Sequence, residues 1–157
     1  MREIGLPLRP EFIVEGDHRL EGGKRALQTL SKLREQPTAL LCSNDMTAIG
    51  VMRQAFELGI HVPRELSVVG FDDTRLADFM IPPLTTVQMS QTELATLAFN
   101  AFLKDVQREN PVPAGTEYLL KTQLVLRSST TFLLSNSKAK SRSVSRRAAQ
   151  TGAEAQE

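Results

Sequence analysis

Short apolar runs alternate with stretches of helical periodicity along most of this chain. Residues 12–14 (Phe12-Ile13-Val14) read as a strand, and Glu15-Gly16-Asp17-His18 turn into a helix over roughly 19–35. Leu20, Leu27, Leu30 and Leu33 recur there at helical spacing, and Pro37 stops the run. Residues 38–43 are continuously apolar, the pattern of a strand buried on both faces. Asp45 suits the N-cap of a second helix over 46–58, and Gly59 its left-handed closing residue. A strand follows at 66–71, then a short segment at 75–80 ahead of Pro82-Pro83, which rule out continued helix. Residues 84–89 are strand-like through β-branched Thr85, Thr86 and Val87. An amphipathic helix spans about 91–107, residues 110–115 form a loop, and 117–127 read as a final long strand.

Strands alternating with helices imply βαβ units: an α/β fold with a parallel sheet flanked by helices. The first three strands each end in polar residues, Asp17-His18, Asn44-Asp45 and Asp72-Asp73. In an open parallel sheet the carboxyl ends share one edge, and ligands bind in the crevice outside it. The three dipeptides are therefore expected to converge on one cleft, joined by residues 86–89 if that strand lies alongside.

Composition adds bounds. At 157 residues, with 41% hydrophobic and 24% charged residues, the chain has the size and make-up of one globular domain. Its single cysteine, Cys42, supports no disulfide framework and sits in the apolar run TALLCS, where burial in a strand is expected. No apolar run approaches the roughly 18 residues of a membrane span, and MREIGLPLRPEF lacks the pattern of a secretion signal, so the expected location is cytoplasmic. The net charge of +1 is uneven. Residues 135–157 carry five basic and two acidic side chains, a net of +3, which leaves −2 on residues 1–134. The expected organisation is a folded, slightly acidic portion over 1–134 and a disordered basic tail over 135–157. An acidic face repels phosphate backbones, so nucleic-acid contact would have to come from the tail.

The rim chemistry narrows the function classes. Asp17, Asp45, Asp72, Asp73 and His18 show no metal-ligand spacing, and no metal or cofactor is expected. A phosphoaspartyl site needs a positioned lysine, and none stands between Lys32 and Lys104. No GxSxG elbow, GxGxxG turn or P-loop is present, and no catalytic residue is assigned. What remains suits a neutral polyol: carboxylates accept from paired hydroxyls, Asn44 both donates and accepts, and His18 offers a planar ring. On residue types alone, the alternative is that these residues only cap helices and turns.

The run PTALLCSNDMTAIGVMRQAFELGIHVPRELSVVGFDDTRLADFMIPPLTTV closely resembles the C-terminal effector-binding region of the LacI/GalR family of transcriptional regulators. EGDHRLEGG resembles the family's effector loop and TQLVLRSST its terminal strand, so the likeness runs from about Phe12 to Thr131. It implies a partial type I periplasmic-binding-protein-like fold that closes on a sugar or purine-like effector. His18, Asn44, Asp72 and Met89 fall at ligand-contacting positions, and Asp45 and Asp73 at motif positions expected to serve capping and structure. Ile49, Met52, Arg53, Phe79, Met80 and Ile81 resemble the family's dimer face, with core packing the competing reading for Ile49 and Met52. The resemblance implies that the helix-turn-helix DNA reader, the hinge helix and the first half of the effector domain lie outside this sequence. The expectation is a C-terminal fragment with half a ligand cleft and no operator binding of its own. Its helix at 91–107 is expected to show an uncovered apolar face and so to promote self-association. Two other readings are a fragment of a periplasmic sugar-binding protein and a Mg²⁺-dependent phosphoryl chemistry at Asp72.

Overall fold

The structure, a computed structural model, describes residues 9–107 and 117–132. The expected basic tail and the loop at 110–115 lie outside these residues. A 3-10 turn at Pro10–Phe12 leads to α1 (Leu20–Leu30), β1 (Ala39–Leu41), α2 (Asp45–Glu57), β2 (Ser67–Asp72), α3 (Arg75–Phe79), β3 (Thr85–Gln88), α4 (Gln91–Val106) and β4 (Gln123–Val125). The strands form one sheet in the order β1-β2-β3-β4. β1 and β3 pair in parallel with β2, and β4 runs antiparallel to β3. The structure is thus the expected α/β arrangement, a mostly parallel sheet flanked by helices.

One face of the sheet carries the core. α1 and α2 pack against each other, and α2 lies on β2. Leu27, Ala48, Val51, Met52, Ala55, Val68, Ala77 and Leu84 are buried together there. The two helices approach at backbone distance. A Cβ on Gly23 would stand 2.1 Å from the Thr47 carbonyl oxygen, and one on Gly50 would stand 2.0 Å from that of Leu20. Only glycine allows this contact. Gly59 closes α2 at φ 68°, with Ile60 N–H donating to Ala55 and Gly59 N–H to Phe56, the paired bonds of a Schellman motif.

Four elements depart from the sequence reading. No strand forms at 12–14: Pro10 starts a 3-10 turn, and Ile13 is exposed with no neighbouring strand to bond. α1 ends five residues before the expected limit, capped at Ser31. β1 is covered on one face only; Leu40 packs on the core while Leu41 is 78% exposed. The final strand is three residues long rather than eleven, because the chain leaves the ladder at Leu126 and crosses towards β2. There buried Ser129 donates from Oγ to the Val68 carbonyl and accepts from the Thr85 amide. α4 is the expected amphipathic helix, yet none of its residues is buried, and Leu94, Phe99, Phe102, Leu103 and Val106 face outward.

Candidate functional site

The carboxyl ends of β2 and β3 open into a crevice of about 450 Å³, lined by residues 72–75 and 88–91. β2 and β3 are in register from Val69 opposite Thr85 to Asp72 opposite Gln88, so both strands deliver their last residues to the same rim. This is the sheet edge at which α/β folds take ligands.

The backbone at this rim is strained. Asp72 has φ 117° and Asp73 φ 55°, and His18, on the loop before α1, has φ 58°. These are the only positive-φ residues besides Gly59 among the described residues. Such conformations cost on the order of 1–3 kcal/mol each and persist where surrounding contacts over-determine them.

Asn44 is the N-cap of α2: its side-chain oxygen accepts from Thr47 N–H at 2.9 Å. Its Nδ2 donates to the His18 carbonyl at 3.0 Å, and the His18 ring meets Ser43 Oγ through Nδ1 at 3.2 Å. Asn44 therefore anchors the His18 loop and keeps one amide hydrogen for another partner. The expected cap, Asp45, is instead the first helical residue and fully buried. Asn44 takes the cap because its extended backbone lets its own side chain reach Thr47.

Asp72 is half-buried, and its carboxyl is pushed above the ordinary range. Loss of solvent is the first cause and the charge of Asp45 the second, while the Asp45 backbone amide and His18 draw it down. Asp72 thus lies at the start of α2, within electrostatic reach of His18. Met89 sits across the crevice, half-buried. Of the four residues expected to bind ligand, Asp72 and Met89 line the crevice, whereas His18 and Asn44 are bonded to each other and do not line it.

Asp73, expected to serve capping and structure, caps no helix, since Thr74 is the N-cap of α3. Its carboxylate accepts from Arg127 Nη2 at 2.7 Å and from Gln88 Nε2 at 2.8 Å, tying the turn to β3 and to the segment after β4. Asp17 does not line the crevice; it accepts from Arg19 N–H at 3.0 Å and pairs with Arg25. The first of these bonds is the main reason its carboxyl is held below the ordinary range. Among the described residues no cluster of three potential ligands could hold a metal ion. Gln88, within the expected 86–89 segment, lines the crevice; sequence reasoning missed Arg75, Ser90 and Gln91, which line it too. The signal was present, since Gln88-Met89-Ser90 gives β3 the same polar ending as the other strands.

Of the six residues assigned to a dimer face, Met52 is buried in the core, and Ile49 and Met80 pack against it. Met52 offers no surface, because α2 turns that side towards the sheet. Arg53 is exposed, Phe79 is 68% exposed and Ile81 is 94% exposed. Phe56, which the sequence reading left out, is 76% exposed under the Arg53 guanidinium.

Comparison with known proteins places this geometry. A model of the periplasmic binding protein-like domain family matches residues 1–130. The chain is 38% identical over 133 residues to the HTH-type transcriptional repressor PurR of Glaesserella parasuis serovar 5. That match covers 82% of this chain and 39% of the relative. It is 36% identical over 130 residues to the HTH-type transcriptional repressor CytR of Escherichia coli K12, covering 83% and 38% respectively. Among solved structures, a transcription regulator from Lactobacillus plantarum aligns with TM-score 0.73 at 26% identity, over 84% of this chain and 50% of that one. A LacI-type transcription regulator from Bifidobacterium animalis subsp. lactis aligns with TM-score 0.74 at 30% identity, over 83% and 46%. The chain spans about two fifths of the length of these curated relatives. The chain therefore belongs to the periplasmic binding protein-like domain family, and its relatives include transcriptional repressors and LacI-type regulators.

Proposed function

We propose that this chain is the effector-sensing half of a transcriptional repressor, one jaw of a cleft that closes on a small polyhydroxylated ligand. The observation that carries the reading is the crevice at the carboxyl edge of β2 and β3, with Asp72 held at its rim in a strained conformation. Asp72 accepts ligand hydroxyls, the free hydrogen of Asn44 donates to ligand oxygen, and the His18 ring packs on the ligand's face. Met89 contributes apolar contact rather than a hydrogen bond. The second jaw is supplied by the rest of the effector domain in the full regulator. The outward apolar face of α4 suits that part as a packing surface.

In this reading, ligand binding favours the closed arrangement of the two jaws over the open one, and operator affinity changes by that difference. DNA is read by a helix-turn-helix carried elsewhere in the full regulator, which works in the cytoplasm as a homodimer. Arg53, Phe56, Phe79 and Ile81 supply part of the dimer face. A periplasmic sugar-binding protein gains no support from the relatives named above, which are repressors.

The test is a ¹⁵N NMR titration of the chain with pentoses, hexoses, nucleosides and purine bases. Saturable shifts confined to residues 18, 44, 72–75 and 88–91, and lost in Asp72→Ala, are expected. Shifts centred elsewhere, or unchanged in Asp72→Ala, would overturn the assignment.

A further inference from the structure

Asp45 is fully buried, yet among the described residues no basic side chain pairs with it. A bare carboxylate in that position is strongly disfavoured unless donors surround it. Three do. Oδ1 accepts from Thr86 Oγ1 at 2.6 Å, and Oδ2 accepts from Thr74 N–H at 2.7 Å and Thr74 Oγ1 at 3.0 Å. Gly70 makes the room, because a Cβ there would stand 2.2 Å from Asp45 Oδ1. One side chain thus joins the start of α2 to β3 and to the turn that follows Asp72 and Asp73. These hydrogen bonds to an ionised group are the strong kind. They bracket the two residues whose positive φ the turn must sustain.

We propose that Asp45 is a positioning residue: it locks the Asp72-Asp73 turn in its strained form and so presents the Asp72 carboxylate to the crevice. The purpose of the lock rests on the sensor reading above, but the lock itself needs no ligand to be measured. Thr86 serves it from the β3 side and Thr74 from the turn. Asp45 also lies close enough to Asp72 to help raise that group's pKa, so the two carboxylates are coupled as well as neighbouring.

The experiment uses the full chain without ligand, comparing wild type with Asp45→Asn and Thr86→Val. Amide hydrogen exchange is followed by NMR, together with the φ-sensitive coupling of Asp73 and the carboxyl titration of Asp72. Both variants should release the Thr74 amide, by about tenfold in exchange rate for Asp45→Asn, while Leu27 and Leu30 in α1 keep their protection. The Asp73 coupling should shift in both, and Asp72 should titrate lower in Asp45→Asn only, since only that variant removes a charge. If Asp45→Asn does not fold, Thr86→Val alone must show the local release. Unchanged Thr74 exchange, or exchange accelerated equally throughout the domain, overturns the proposal. Neither result would touch the ligand reading, which the titration with sugars and nucleosides judges separately.

Discussion

Replacing Gly23 by alanine sets two effects of opposite sign against each other. Alanine favours a helix interior over glycine by about 0.5–1 kcal/mol. Against that, the new Cβ would lie 2.1 Å from the Thr47 carbonyl oxygen and 2.9 Å from the Val51 amide nitrogen, both backbone atoms of α2. Backbone cannot swing aside as a side chain can, so α1 must lift from α2 by on the order of 1 Å. Overpacking of this kind costs about 1–3 kcal/mol, here by loosening Leu27 and Leu30 from the core. The steric effect wins, and the variant should be less stable by about 1–2 kcal/mol. Urea unfolding followed by far-ultraviolet circular dichroism measures this, with Gly16→Ala as control, since no atom lies within 4 Å of a Cβ there. The same lift should weaken the bond from Asn44 to the His18 carbonyl. A Gly23→Ala variant more stable than wild type would show that propensity dominates and that the close helix contact is wrong.

Three further outcomes follow from local chemistry. Ser129→Ala orphans the Thr85 amide and one bond of the Val68 carbonyl, and should destabilise the chain by about 1–3 kcal/mol in the same unfolding assay. Asp72→Asn should stabilise the fold at neutral pH while removing ligand binding. An acid whose folded pKa is raised contributes stability below its unfolded pKa and loses it as pH rises through the folded value. Thermal melts of the variant should therefore exceed wild type at neutral pH and converge with it below the ordinary carboxylate range. The Cys42 thiol is pushed up to about 12 by burial and by Asp45, so thiol reagents should label it only on unfolding. Rapid labelling of the native chain at neutral pH would contradict its placement.

Much of the fold was legible because the apolar runs at 38–43, 66–71 and 84–89 are short and punctuated by Gly, Pro and capping residues. The carboxyl-edge rule puts Asp72 and Met89 on one rim, and both line the crevice. The misreadings have one physical root: local pattern does not reveal which neighbours a segment finds. Residues 12–14 are as apolar as a strand but lack a pairing partner, and Leu41 sits in a continuous apolar run whose outer face stays open. Asp45 looked like a cap because its type and position fit one. Its real contacts are with Thr74 and Thr86, about 30 and 40 residues away in sequence, and no periodicity encodes them. The Asp73–Arg127 pair was invisible for the same reason.

The central claim is that Asp72 and its neighbours form one jaw of an effector cleft in a repressor. A chimera tests it: the 130-residue stretch of this chain that matches the E. coli repressor CytR replaces its counterpart there, assayed on an operator reporter against a panel of sugars, nucleosides and purine bases. The account predicts that the chimera represses and that a compound relieves repression. It further predicts that Asp72→Ala abolishes relief while leaving repression intact. A chimera that responds equally well with Asp72→Ala would contradict it.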